Sequence, residues 1–221
     1  MGRPANDWAP IAKSPAAPIA VFVYRRLDHT RRALDALAAN DGASESDVII
    51  FSDYNKGSLV NVAEMIRMAR DAGRTVMVDP KGDDFTPYRG ATMLTPNKSE
   101  LKRIVGTWKT EEQLTEKAQR LREELELEVL LLTRSEEGMS LYTADEVLHV
   151  HADAREVFDV SGAGDTVIAT MAAMLGTGAP LAEALATANR AGGIVVGKLG
   201  TATVTREELF PQRRRTDGSH P

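Results

Sequence analysis

The stretch EVFDVSGAGDTVIATMAAMLG, residues 156–176, carries the reading of the whole chain. A strand-like apolar run stops at a Gly-Ala-Gly turn, and an apolar helical segment starts beside an acid, Asp165. Gly162 and Gly164 allow positive φ and place no side chain in the way of a ligand. The amides of Ala163, Gly164 and Asp165 are expected to point outward at the helix start. With the helix dipole they form an anion site that suits a phosphate. Asp165 is then placed to accept a proton from a hydroxyl beside that phosphate, help typically worth about 10²–10⁴ in rate. Capping alone explains the same pattern in many α/β proteins. The turn is not a Walker A loop, because no Gly-Lys-Ser/Thr follows. Nor is it a dinucleotide fingerprint, because Val167 holds the third glycine position.

Upstream, strand-like and helix-like segments alternate. Residues 19–24, 47–51, 75–80, 91–96 and 128–133 read as strands, two of them stopped by proline. Helices are expected over 28–40, 59–73, with Gly73 at C′, and 110–127, opened by a Thr110–Gln113 capping box. MSLYT and VLHVH flank a short turn and read as a hairpin. Two apolar helices, 163–176 and 180–197, close the fold. Repeated β-α-β order predicts an α/β domain with a mainly parallel sheet layered by helices. Ligands of such sheets bind beyond the carboxyl ends of the strands. SDYNKG, DPKG, TPNKSE and TRSEEG all fall there.

Composition narrows the function. Hydrophobic content of 43% supports a real core. A net charge of −5 does not suggest a nucleic-acid partner. The absence of cysteine rules out disulfides and thiolate metal sites. Residues 1–18 are Pro/Ala-rich without an apolar h-region, so they read as a flexible segment rather than a signal peptide. No run approaches the ~18 apolar residues of a membrane span. The expectation is a cytoplasmic protein without nucleic-acid or membrane partners. His149 and His151 alternate along one strand face, where a surface hairpin explains them better than zinc does.

From Ser52 to Phe210 the chain resembles the ribokinase-like (PfkB) carbohydrate kinases. DVSGAGDTVIAT (159–170) is similar to their C-terminal signature. SDYNKG (52–57), VDPKGDDFTPYRGATMLTPNKSE (78–100) and LLTRSEEGMSLY (131–142) are similar, in order, to one branch. That branch phosphorylates D-glycero-β-D-manno-heptose 7-phosphate at O1 for ADP-heptose synthesis. The resemblance implies ATP and Mg²⁺, with Asp165 as catalytic base and Gly162, Ala163 and Gly164 as anion hole. It implies nucleotide contacts from Asn97, Lys98, Ser99, Glu100, Thr133 and Ser135, with Glu100 acting on the metal through water. Asn189, on a helix walling the base, is a candidate adenine contact. Lys56 and Lys81 follow strand ends and are candidates for the sugar phosphate; exposed loop lysines more often do nothing specific. PNKSE also serves as a plain strand-to-helix connection with Asn97 as N-cap.

Residues 18–53 resemble instead the opening β-α-β of family-2-like GT-A glycosyltransferases, with RRL where Asn-Arg-Pro is common. The family's N-terminal lid portion, with its Gly-Gly sugar motif, is not found in the sequence. The expected divisions are a 1–18 segment, a 19–51 strand-helix-strand unit, a 52–210 kinase-like body and a 211–221 tail, with a homodimer as the candidate assembly. Three functions compete: a sugar kinase, a non-catalytic nucleotide-binding remnant and, weakest, a glycosyltransferase fragment.

Overall fold

The computed structural model describes residues 19–22, 48–52, 61–152, 157–200 and 202–210. The expected helix 28–40, the 1–18 segment and the tail 211–221 lie outside the described residues.

Seven strands form one sheet in sequential order: β1 (Ile19–Phe22), β2 (Val48–Ser52), β3 (Thr75–Asp79), β4 (Met93–Leu94), β5 (Val129–Thr133), β6 (Met139–Tyr142) and β7 (Val147–Val150). The first five run parallel. The last two pair antiparallel, as the expected hairpin. β4 pairs over only two residues, although six were expected to be extended. Beyond those two, Thr92 and Thr95 donate single amides to Val76 and Val78, and the chain then turns into the next helix.

The order of the strands dictates the layers. Right-handed crossovers between sequential parallel strands put the connecting helices on one face. Those helices are α1 (Val62–Asp71), α2 (Lys98–Val105) and α3 (Glu111–Glu124). Their buried residues, including Ile66, Leu101 and Leu114, share a cluster with Val76, Val78, Leu130 and Leu132. The alternate strand residues Met77, Met93, Val129 and Leu131 point to the other face. That face is covered by two later helices, α4 (Ala163–Gly176) and α5 (Leu181–Val196), through Ile168, Met171, Leu175 and Leu185. Strands buried on both faces read as continuous apolar runs, which is why TVMV and VLLL carry almost no polar residue. A short α6 (Arg206–Leu209) follows.

Helix ends bear out part of the capping reading. Gly73 follows the α1 C-cap with φ of 72°. Thr110 accepts from the Gln113 amide, but Gln113 returns its side chain to Lys109 N rather than to Thr110, so the expected box is only half formed. Full capping boxes form at Asn97–Glu100, at the start of α2, and at Thr205–Glu208, at the start of α6. Among the described residues, no helix is long and apolar enough to cross a membrane.

Candidate active site

A cleft of about 610 Å³ opens beyond the carboxyl ends of β3, β4 and β5. That volume suits a nucleotide-sized ligand. One wall carries Asp79 at the end of β3 and Lys81 just after it, Asn97–Glu100 at the start of α2, and Thr133–Glu136 from the last residue of β5 onward. The start of α4 adds Val160, Gly162, Gly164 and Asp165 to the lining.

The α4 start keeps the glycine turn of the expected anion cradle but departs from the expectation in two ways. Gly162 caps the helix in the left-handed region, at φ 77° and ψ 4°. Gly164 lies inside the first turn and is not among the glycines with positive φ. Its contribution is room: a Cβ there would meet nothing within 4 Å. Of the three amides expected to face a ligand, that of Ala163 already donates to the Val160 carbonyl at 3.2 Å.

On the strand side, three charges interlock. Glu100 is 3% exposed, yet both its oxygens are used. Oε2 accepts from the Asn97 amide at 2.9 Å, and Asn97 Oδ1 accepts from the Glu100 amide at 2.9 Å. Oε1 accepts from Lys81 Nζ at 2.7 Å, and Lys81 also reaches Asp79 Oδ1 at 3.3 Å. The capping box therefore aims one carboxylate oxygen of a buried glutamate at Lys81.

Burial is the main reason that the Asp79 carboxyl is pushed up to about 6; Lys81 opposes the rise, while Glu100 and Asp165 add to it. Burial also works against the Lys81 charge, but the two carboxylates outweigh it and hold that ammonium above its ordinary value. The sign for stability follows. An ionised Asp79 is strained in the fold above pH 6, and the strain disappears as pH falls through 6 towards the unfolded value near 4. Asp79→Asn is therefore expected to stabilise the ligand-free protein by about 1–3 kcal/mol at pH 8, the scale of a shift of roughly two pKa units. The gain should shrink below pH 6. Urea unfolding of both proteins from pH 4 to 8 checks this; a constant difference would refute the strain.

Arg134 holds the third segment in place. It is 6% exposed and forks onto Glu111 at 2.7 and 2.8 Å, onto Glu137 at 2.7 Å and onto Ser140 Oγ at 3.0 Å. The Glu111 bonds, outweighing burial, raise its pKa further above the ordinary value. Lys98 joins the same loop through Glu137 at 2.6 Å. The loop after β5 is thus tied to the starts of both α2 and α3.

Comparisons with known proteins give the family of the chain. The pattern of the pfkB family carbohydrate kinases matches residues 24–208. The chain belongs to that family. It is 52% identical over 179 residues to a D-beta-D-heptose 7-phosphate kinase of Bordetella bronchiseptica, covering 80% of this chain and 57% of the relative. It is 54% identical over 173 residues to a bifunctional protein HldE of Shewanella amazonensis, covering 78% of this chain and 36% of the relative. The chain thus spans little more than half of the one relative and about a third of the other. The ribokinase-like fold is shared with solved structures. Arabidopsis thaliana ribokinase, complexed with ribose and ATP, gives a TM-score of 0.65 at 23% identity, over 75% of this chain and 54% of that one. Escherichia coli phosphofructokinase-2, in complex with substrates and products, gives 0.70 at 17%, over 87% and 61%.

Of the residues singled out from sequence, the structure gathers Asn97, Lys98, Ser99, Glu100, Thr133, Ser135, Gly162, Gly164 and Asp165 around one cleft. Lys81 joins them, held by carboxylates rather than standing free on a loop. Asn189 does not line the cleft; it is buried, and its Nδ2 donates to the His151 carbonyl at 2.7 Å. Lys56 lies outside the described residues. His149 and His151 pack edge to face, and Ser140 Oγ contacts His149 Nδ1 at 3.1 Å. Asp79, Thr95 and Arg134 line the cleft without having been singled out from sequence. For Asp79 there was a usable signal: one acid ending the apolar run TVMVD at the ligand end of a parallel strand.

Proposed function

We propose that this cleft transfers the γ-phosphoryl group of ATP to the O1 hydroxyl of D-glycero-β-D-manno-heptose 7-phosphate. The observation that carries the reading is the shared cleft itself. It brings a glycine-opened helix start with Asp165 together with the Asp79–Lys81–Glu100 charges. The substrate assignment is supported by the 52% identity to the Bordetella heptose 7-phosphate kinase.

In this reading the start of α4 holds the transferring phosphate by its dipole and amides. The Asp165 carboxylate takes the proton of the sugar O1 hydroxyl. That oxygen then bonds to the γ-phosphorus while the bond to the β–γ bridging oxygen breaks, and ADP leaves. Asn97–Glu100 and Thr133–Ser135 line the nucleotide's path. Asp79 and Glu100 supply hard carboxylate oxygens of the kind that magnesium prefers. Among the described residues no three His, Asp or Glu side chains converge on one point. A cation here would therefore complete its shell from phosphate oxygens and water. When bound, it neutralises phosphate charge.

The reading is tested by following ADP release from magnesium-ATP with and without heptose 7-phosphate. Release that depends on the acceptor supports it. ATP binding without acceptor-dependent release would instead make the chain a nucleotide-binding remnant.

A further inference from the structure

We propose that Lys81 is an internal counter-ion that keeps the Asp79–Glu100 pair closed to divalent cations until nucleotide phosphates draw it away, so that cation and nucleotide enter together. The inference rests on reading the cleft as a nucleotide site, but its first half concerns the ligand-free protein alone.

The geometry argues for competition. Glu100 has two oxygens, and the Asn97 amide occupies Oε2. The other, Oε1, is held by Lys81 Nζ at 2.7 Å. The same ammonium reaches Asp79 Oδ1 at 3.3 Å. A divalent ion binding those oxygens would meet a positive charge in the very place it needs. Two like charges a few ångströms apart inside a mostly buried site repel strongly. The two carboxylate side chains are 10% and 4% exposed, so neither can swing out to solvent to meet a cation elsewhere.

Lys81 can move where the carboxylates cannot. Its side chain is 30% exposed, on a flexible four-carbon stem that opens into the cleft. An ammonium released from carboxylates needs another anion, and the nucleotide phosphates are the anions that the glycine turn would hold in the same cleft. Phosphates thus do two things at once. They give the lysine a new partner, and they supply the oxygen ligands that two carboxylates alone lack.

The test uses Mn²⁺ as a probe, with free Mn²⁺ counted by electron paramagnetic resonance and no nucleotide present. Wild type is expected to bind Mn²⁺ no tighter than millimolar. Lys81→Met, folded by circular dichroism, is expected to bind at least tenfold more tightly. Lys81→Gln should show the same gain and serves if the methionine variant does not fold. Adding Glu100→Gln to either should remove the gain, because the amide still accepts from Asn97 but no longer attracts a cation. Micromolar Mn²⁺ binding by wild type would overturn the proposal. So would equal affinity in wild type and the Lys81 variants, or a gain that survives Glu100→Gln. Each readout is independent of sugar phosphorylation, so its failure would leave the kinase reading standing, and the reverse.

Discussion

Asp165→Asn is expected to lower acceptor-dependent ADP release by at least 10²–10⁴-fold, the usual worth of a positioned general base, while magnesium-ATP affinity changes less than about threefold. The amide is close to the carboxylate in size and is a very poor base. Asp165 is the third residue of α4, which Gly162 caps without a side-chain bond, so losing its charge there costs only about 0.3–1 kcal/mol and the fold of α4 should survive. The binding groups that the variant keeps are the backbone at Gly162 and Gly164 and the residues across the cleft. Steady-state turnover and calorimetry on the same two proteins separate the effects. If Asp165 served only the helix, turnover would persist in the variant. Loss of ATP affinity in parallel with turnover would make Asp165 a binding group instead.

The second large effect is structural. Gly138 follows the β5 loop at φ 92° and ψ −130°, a backbone region open essentially to glycine alone. A Cβ there would lie 2.0 Å from the Val150 carbonyl oxygen and 2.7 Å from backbone atoms of His151 and Ala152. All three are main chain at the end of β7 and just beyond it, so nothing flexible can yield. Strain and overpacking each cost about 1–3 kcal/mol in ordinary cases, and here they add. Gly138→Ala is expected to lose about 2–6 kcal/mol, a large part of the 5–15 kcal/mol that holds a typical domain. The loss should also reach the cleft. The Gly138 carbonyl accepts from the Arg134 amide at 2.8 Å, so displacing it moves the loop that presents Thr133 and Ser135. Urea unfolding measures the loss, and a variant within 1 kcal/mol of wild type would show that β6 and β7 can part without penalty.

Much of the fold was legible because its signals are local. Alternating apolar runs and amphipathic segments gave away the parallel strands, and strand ends marked the ligand side. Turn chemistry did the rest at Gly73 and at the 143–146 turn. Two things were not legible. Which helices cover which face follows from the strand order, a long-range property that no window contains. Apolar residues on both sides of β3 and β5 say only that both faces are covered. The site divided in the same way. Its backbone half, the glycine turn, is a contiguous motif. Its charged half is built from residues 79, 81 and 100, which only the fold brings together. Lys81 looked like any loop lysine because its partners are 2 and 19 residues away. Arg134 was hidden for the same reason, since its main partner, Glu111, sits 23 residues upstream. The Asn97–Glu100 box was read from sequence as either a cap or a metal-side motif. The structure shows the cap directly, and the same glutamate gives its second oxygen to Lys81.

The proposed reaction moves a phosphoryl group from ATP to the anomeric oxygen of a heptose 7-phosphate. Phosphorus NMR of the mixed substrates with magnesium and the purified chain tests it most directly, because it reports which bond has formed. ADP resonances and a new sugar-phosphate resonance, coupled to the anomeric proton, are expected to rise together in equal amounts, and neither is expected to rise with Asp165→Asn. ADP and free inorganic phosphate without an anomeric phosphate, or unchanged ATP in the presence of folded wild-type protein, would contradict it.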